Sequence, residues 1–212
     1  MLPDGAAKPS YRRLVSKLVD SYGMFCVHLS VEASKHKAIP YNIFKVQTGE
    51  NGTILDLIYF QLRESERDGK NLLTILTSGE YQRWQKWEHT KTGRRGGDYV
   101  REKEDRARHL IREAGDIFGS LQGEKLLDVY TPLTLRDWVN SPGGSAYGVQ
   151  RSSDQLLEAS ILNRISVKGL FLAGQSVMAP GIIGTILASL GTVRLVIGAK
   201  RFDKMVNHLR IK

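Results

Sequence analysis

The chain has 212 residues, 41% hydrophobic and 25% charged, which is the ordinary composition of a soluble globular protein with a sizeable core. Its formal net charge of +9 favours acidic partners such as nucleic acid, an anionic membrane surface or a phosphorylated ligand. The one cysteine, Cys26, excludes an internal disulfide and predicts a buried, inert thiol. With no signal peptide at the start, it also predicts a cytoplasmic protein.

The first part of the chain predicts an antiparallel sheet. Helical spacing at residues 11–22 is followed by strand candidates at 24–31, 39–47, 53–62 and 72–77. Alternation in the first strand places Phe25 on one face and both Cys26 and His28 on the opposite face. The pair Asn51 and Gly52 favours a hairpin turn. Sequential strands joined by such short turns predict a meander.

The middle of the chain predicts helices with one further strand. Helical spacing is present at residues 80–89, 98–118, 133–139 and 153–162, and a strand candidate lies at 126–131. The segment 98–118 carries an apolar stripe through Leu110 and Ala114, with charged residues opposite. Residues 141–148 are rich in glycine and predict a loop.

The end of the chain is its most informative stretch. Residues 168–173 predict a short buried strand, Gly174 a turn, and residues 181–199 a helix. A glycine turn that leads into a helix N-terminus presents unpaired N–H groups and a positive dipole end, which suit a phosphate, a carboxylate or the polar edge of a cofactor ring. The same glycines also fit a structural turn with close helix packing, and spacing alone leaves both interpretations open.

Two loops and one basic region are weaker candidates. The segments 131–134 and 145–148 offer hydroxyls, glycines and one tyrosine, which suit either a polar pocket or two ordinary loops. The region 83–112 interleaves basic and aromatic residues as nucleic-acid binders do, but its acidic residues favour a solvated helical face with ion pairs. The histidines lack metal-ligand spacing, so no metal site is predicted, and no motif assigns a catalytic residue.

Three groups of motifs follow one another along the chain. They are Leu-Pro-Asp-Gly at 2–5 with the strands at 25–29 and 40–44; Thr-Pro-Leu-Thr at 131–134 with Pro-Gly-Gly-Ser-Ala-Tyr-Gly at 142–148; and Gly-Leu-Phe-Leu-Ala-Gly-Gln at 169–175 with Pro-Gly-Ile-Ile-Gly at 180–184. In this order they resemble the C-terminal part of the phytoene desaturase-like flavoproteins, which include carotenoid desaturases, carotenoid isomerases and retinol saturases. The resemblance extends from Met1 to about Phe202.

The resemblance implies that the end of the chain closes over FAD. The cofactor-binding positions that it implies are Gly174, Gln175, Ser176, Gly181, Ile182, Ile183, Gly184 and Tyr147. The first three would lie against the ribityl–pyrophosphate part, the next four at the pyrimidine edge of the flavin, and Tyr147 near the flavin or the substrate channel. Reduced flavin gains negative charge at that edge, and a helix N-terminus stabilises it. Ser176 departs from the family, in which many members have an acidic residue at this position.

The resemblance also implies a domain organisation. Residues 1–23 would be an entry segment from the FAD domain, residues 24–148 a substrate-binding-like domain, and residues 149–212 the C-terminal part of the FAD-binding domain. We therefore expect an α+β (or α/β) fold: an antiparallel strand layer backed by helices, with a C-terminal β–α element. The glycine fingerprint of a dinucleotide-binding unit is absent, so the N-terminal half of the FAD domain is expected to be missing.

The implied function is flavin hydride transfer on a polyene or isoprenoid substrate: desaturation, saturation or isomerisation. The expected partners are the missing dinucleotide-binding half or a second copy of the chain, together with a lipophilic substrate, and the isolated chain is expected to hold little or no FAD. Two alternatives stay open: a truncated, non-catalytic remnant, and a basic module that binds nucleic acid or a membrane surface. A cytoplasmic location with peripheral attachment to a membrane also fits the positive charge.

Overall fold

The structure is a computed structural model that describes residues 5–66, 69–155, 162, 165 and 167–210. The chain divides into two compact units. One unit consists of residues 22–146, which we call the sheet unit. The other consists of the described residues on either side of it, which we call the terminal unit. The boundaries predicted for a substrate domain and an FAD domain remain predictions, because compactness does not identify what either unit binds.

The sheet unit is built on a five-stranded antiparallel sheet. Its strands are β1 (Met24–Glu32), β2 (Ile43–Thr48), β3 (Ile54–Glu64), β4 (Lys70–Ser78) and β5 (Lys125–Tyr130). Their order is β2-β3-β4-β1-β5, so the predicted meander is present in β2, β3 and β4. The first strand joins the sheet beside β4, at the far side of the meander, and its other edge pairs with β5.

Three helices complete the sheet unit. They are α2 (Tyr81–Trp84), which runs on into a 3₁₀ turn (Gln85–Trp87); α3 (Gly97–Phe118); and α4 (Pro132–Val139), which is followed by a second 3₁₀ turn (Pro142–Gly144). The helix predicted at 98–118 is thus confirmed as α3. The sheet and these helices confirm the α+β class.

The core lies on one face of the sheet. Alternating residues of β1, including Phe25 and Val27, meet alternating residues of β3 and β4 on this face. The apolar stripe of α3 covers them through Leu110 and its neighbours. Trp84 stacks on Phe25 with ring centroids 5.6 Å apart and donates its indole N–H to the carbonyl of Gly79 at 2.8 Å. The predicted alternation of β1 is confirmed, because Cys26 and His28 lie on the opposite face.

The terminal unit contains helices α1 (Pro9–Val15), α5 (Gly181–Ile197) and α6 (Ala199–Arg210). The first is shorter than the helix predicted at 11–22, and most of the helix predicted at 153–162 falls outside the described residues. The strand predicted in the C-terminal β–α element is wrong, because residues 168–173 form a turn followed by irregular chain without strand pairing. A strand needs a neighbour to hydrogen-bond with, and the described residues of this unit include no strand to pair with it.

Candidate functional site

The glycine turn that the sequence singled out has the backbone geometry that requires glycine. Gly174 has a φ of +109° and Gly181 a φ of +78°, values that other residues rarely adopt. A side-chain carbon at either position would meet no atom within 4 Å. The carbonyl of Gly174 accepts a hydrogen bond from the Val177 N–H at 3.1 Å, which closes the turn. The backbone is therefore open to the approach of another molecule at both glycines.

Helix α5 begins at Gly181 with an uncapped N-terminus. The N-cap residue, Pro180, has no side chain that could accept from the first-turn N–H groups. Ile182 and Ile183 are 81% and 75% exposed, so the helix start presents N–H groups beside apolar side chains. Gly184, one turn on, is buried, and it packs so closely on Ala179 that a side chain there would overlap the Ala179 carbonyl oxygen. These features suit a flat ring that has apolar faces and an electron-rich polar edge. The edge would meet the N–H groups, and the faces would meet the apolar side chains.

Two of the sequence motifs meet at Gly148 and Ser176. A side-chain carbon at Gly148 would overlap the Ser176 hydroxyl, and the φ of +69° at Gly148 also requires glycine. Tyr147 is anchored beside this contact, because its backbone N–H donates to the Ser21 hydroxyl at 3.0 Å, while its side chain is partly exposed. The structure thus brings Tyr147 next to the loop that contains Gln175 and Ser176. Their assignment to a cofactor stays a prediction.

Sequence reasoning did not single out Arg151, which lies against the same loop. Its Nη2 donates to the carbonyl oxygen of Ser176 at 2.9 Å. Its Nε and Nη1 are buried without a hydrogen-bond partner among the described residues. Burial lowers the pKa of this guanidinium below its usual value, because removal from water disfavours the charged form. Its neighbours in the sequence are small and polar, so no local pattern could have identified it.

The open face of the sheet carries a small polar network. Cys26 Sγ lies 3.4 Å from His28 Nε2, and His28 Nδ1 lies 3.1 Å from the Thr74 hydroxyl. The ring of Tyr130 packs beside the imidazole, with centroids 5.9 Å apart. Burial raises the pKa of Cys26 to about 11, and burial lowers the pKa of His28. This favours the protonated thiol at neutral pH. The burial predicted for Cys26 is confirmed, and its inertness stays a prediction.

Apolar side chains surround this network on the same face. Phe44 and Tyr59 face each other across β2 and β3 and meet edge to face, with centroids 5.2 Å apart. Phe44 is 58% exposed, and Leu57 on β3 is also exposed. The helices α2, α3 and α4 all bury residues in the core on the other face. The open face can therefore receive an apolar ligand.

The remaining candidates have structural explanations. Thr131 and Thr134 form a capping box at the start of α4: the Thr131 hydroxyl accepts from the Leu133 N–H, and the Thr134 hydroxyl accepts from the Thr131 N–H, both at 3.2 Å. In the basic region, Arg83 pairs with Glu102, and Arg101 and Arg108 pair with acidic residues on α3. These pairs support the solvated helical face. Among the described residues no cluster of side chains could hold a metal ion.

Comparisons with known proteins add one relationship. No protein-family model matches the chain, and no solved structure gives a significant match. The chain is similar to the all-trans-retinol 13,14-reductase of Danio rerio, with 26% identity over 126 residues, which is 58% of this chain and 21% of the relative. The enzymes of the same name from Macaca fascicularis and Homo sapiens are each 24% identical over 131 residues, which is 60% of this chain and 22% of the relative.

These matches span about a fifth of the length of the curated relatives. In the described part of the chain, no helix combines the length and hydrophobicity that crossing a membrane requires. The relatives' name is that of the retinol saturases, one of the groups to which the motifs pointed. The chain is therefore related to the all-trans-retinol 13,14-reductases.

Proposed function

We propose that the chain is the C-terminal portion of a flavin-type oxidoreductase that acts on a retinoid or another polyene. The observation that carries the proposal is the similarity to three all-trans-retinol 13,14-reductases. The contact between Gly148 and Ser176 supports it, because it brings the end of the motif at 142–148 against the residue that follows the motif at 169–175. The proposal names a class of chemistry and of substrate, and leaves the direction of the redox step open.

The residues of the terminal unit fit FAD in three respects. Gly174 leaves open backbone, α5 offers uncapped N–H groups, and Arg151 has unpaired N–H donors. When bound, FAD would supply hydride transfer, which no side chain of the chain can supply. The residues around Gly174 would hold the cofactor, and the N-terminus of α5 would stabilise negative charge at the edge of its ring.

The open face of the sheet unit is the proposed surface for the substrate. A polyene is long, flat and apolar, and its burial against side chains such as Phe44, Leu57 and Tyr59 removes apolar area from water. His28, which is partly exposed, adds a hydrogen-bonding group to this face, and Asp128, its partner across β1 and β5, adds a charge. This face therefore combines an apolar surface with a few polar groups, as ligand sites commonly do.

Helix α5 supports the proposal that another protein surface completes the site. Six of its exposed apolar side chains follow helical spacing along one stripe, and Leu195 and Val196 are exposed outside it: the six are Ile182, Ile183, Ile186, Leu187, Leu190 and Val193. A stripe of this kind marks a surface that is covered in the working protein. We propose that a dinucleotide-binding polypeptide covers it, with a second copy of the chain as the alternative.

Retinol binding by the chain tests the substrate part of the proposal. All-trans-retinol should bind with an increase in its fluorescence, and Phe44→Glu should weaken binding at least tenfold because it places a charge in the apolar surface. Val139→Glu is the matched control, because Val139 is exposed in the same unit but lies at the end of α4. Equal binding by both variants, or no binding by the wild-type chain, would exclude this face as the substrate surface.

Flavin content tests the oxidoreductase part. The purified chain should hold little FAD, whereas co-expression with a dinucleotide-binding polypeptide from a neighbouring gene should give a yellow complex. That complex should consume a retinoid or carotenoid, seen as a change in polyene absorbance. A complex that binds FAD stoichiometrically but converts no polyene would exclude the substrate class, and failure to form any flavin-containing complex would contradict the proposal itself.

A further inference from the structure

The terminal unit contains a half-buried arginine, Arg151, that has no counter-charge among the described residues. Among the described residues Arg151 makes one hydrogen bond, to the carbonyl of Ser176, and its Nε and Nη1 are shielded from water without a partner there. None of the ion pairs formed by the described residues includes it. Buried arginine side chains are normally paired, because both the charge and each unpaired N–H cost free energy.

Arg95 is a buried arginine of the same chain whose charge and N–H donors are paired. In the sheet unit, the Arg95 side chain is 4% exposed and forms an ion pair with Asp137. Arg95 also donates to the carbonyl oxygen of Thr90 at 3.0 Å and to the Thr90 hydroxyl at 2.8 Å. Two nitrogens of Arg151, Nε and Nη1, are also shielded from water. Among the described residues, no carboxylate, carbonyl or hydroxyl oxygen accepts a hydrogen bond from either of them. Because a guanidinium remains protonated in proteins, the positive charge persists and its missing partner is an anion.

The surroundings of Arg151 favour a phosphate group as that anion. Its one hydrogen bond fixes it to the loop of Gly174–Ser176, whose open glycine lets a ligand approach the backbone. Phosphate oxygens accept several hydrogen bonds at once, and a guanidinium has donors on more than one edge. A phosphate could therefore accept from either of the free donors, Nε or Nη1, which lie on different edges of the guanidinium.

We propose that Arg151 is an anion-binding residue that takes a phosphate group, either in the diphosphate of a dinucleotide or in another phosphate-bearing molecule. The anion site depends on Arg151 and does not require the oxidoreductase proposal. Only the assignment of the phosphate to a dinucleotide rests on the proposed function. The two parts can therefore fail separately.

The test measures binding of four probes to the full chain at low ionic strength: inorganic pyrophosphate, ADP, FAD and riboflavin. Calorimetry and thermal unfolding would be run on the wild type, R151M and R151K. The control is R194Q, which removes an exposed arginine paired with Asp203 in the same unit. Pyrophosphate and ADP should bind the wild type and R194Q alike, and R151M should lose at least tenfold in affinity, because charge-assisted hydrogen bonds are lost.

R151K should fall between them, because it keeps the charge but not the fork of donors. The melting temperature of ligand-free R151M separates a binding role from a structural one. It should equal or exceed that of the wild type, since the substitution removes two buried, unpaired N–H groups. Melting at a clearly lower temperature, with pyrophosphate affinity unchanged in whatever remains folded, would identify a structural arginine and overturn the proposal. So would the absence of pyrophosphate and ADP binding to the wild type.

The other two probes distinguish the source of the phosphate. FAD binding that depends on Arg151, with no binding of riboflavin, assigns the site to a dinucleotide diphosphate. Pyrophosphate binding without FAD binding keeps the anion site and removes its assignment to the cofactor. FAD binding that R151M leaves unchanged, combined with no pyrophosphate binding, overturns the anion site while leaving the flavin proposal intact.

Discussion

Gly184 provides the sharpest test of the geometry at the start of α5. A Cβ at this position would overlap the carbonyl oxygen of Ala179 and lie only 2.8 Å from the Ala179 Cβ. Because the obstacle includes backbone, it cannot move aside as a flexible side chain would. Gly184→Ala should therefore shift the loop before the helix or unwind its first turn.

The size of the effect follows from the kind of contact. Overpacking a close contact costs about 1–3 kcal/mol, and backbone overlap places Gly184→Ala toward the upper end. Gly115 on α3 is the matched control, because a Cβ there would meet no atom within 4 Å. Gly115→Ala should instead gain up to about 1 kcal/mol from helix propensity. The same chemical change should thus act with opposite signs at two helical glycines.

The two units allow the effect to be located. All three tryptophans, Trp84, Trp87 and Trp138, lie in the sheet unit, so their fluorescence follows that unit alone. Far-UV circular dichroism follows helices in both units. For a unit of this size, about 2 kcal/mol corresponds to a fall of about 10 °C in melting temperature. A Gly184→Ala protein whose dichroism melts at the wild-type temperature would refute the packing of Ala179 on Gly184.

Three further predictions concern the sheet unit. Asp137→Ala should destabilise the unit by about 3 kcal/mol in urea unfolding, because it leaves Arg95 buried without its counter-ion, whereas Asp98→Ala, whose carboxylate is 78% exposed, should have no measurable effect. Cys26, with its pKa raised by burial to about 11, should not react with a disulfide reagent at pH 8 until guanidinium unfolds the chain. Burial lowers the pKa of His28 in the folded state, so the unfolded state binds more protons just below pH 6.5. The free energy of unfolding should therefore decrease as the pH falls from about 6.5 through the lowered pKa. A His28→Gln variant that keeps the full decrease would contradict this.

The sheet was predictable because its signals are local. Alternation and turn residues predict the strands and place Cys26 and His28 on one face, and the structure confirms this. The position of β1 beside β4 and β5 was not predictable in the same way. Alternation specifies which face of a strand is buried, whereas the choice of neighbouring strands depends on how segments far apart in the chain pack together.

Two features of the candidate site show where local reasoning ends. The apolar run at 168–173 has the composition of a buried strand, yet it forms no ladder, because strand formation needs a partner that composition cannot supply. Arg151 looks like any polar loop residue in the sequence, and its significance arises from burial and from the acceptors that it lacks. By contrast, Gly174 and Gly181 were recognisable, because a positive φ is a local requirement that glycine reveals.

The two units differ in how completely they bury their apolar helix faces and pair their arginine charges. The sheet unit buries the stripe of α3 and gives its buried arginine, Arg95, a carboxylate. The terminal unit leaves the stripe of α5 exposed and gives Arg151 no anion among the described residues. One deficit is apolar area and the other is charge, so a partner that removes both must present an apolar surface together with an anion. A protein surface that carries a bound diphosphate would remove both, which is why the proposed dinucleotide-binding partner and the proposed phosphate site support each other without depending on the same observation.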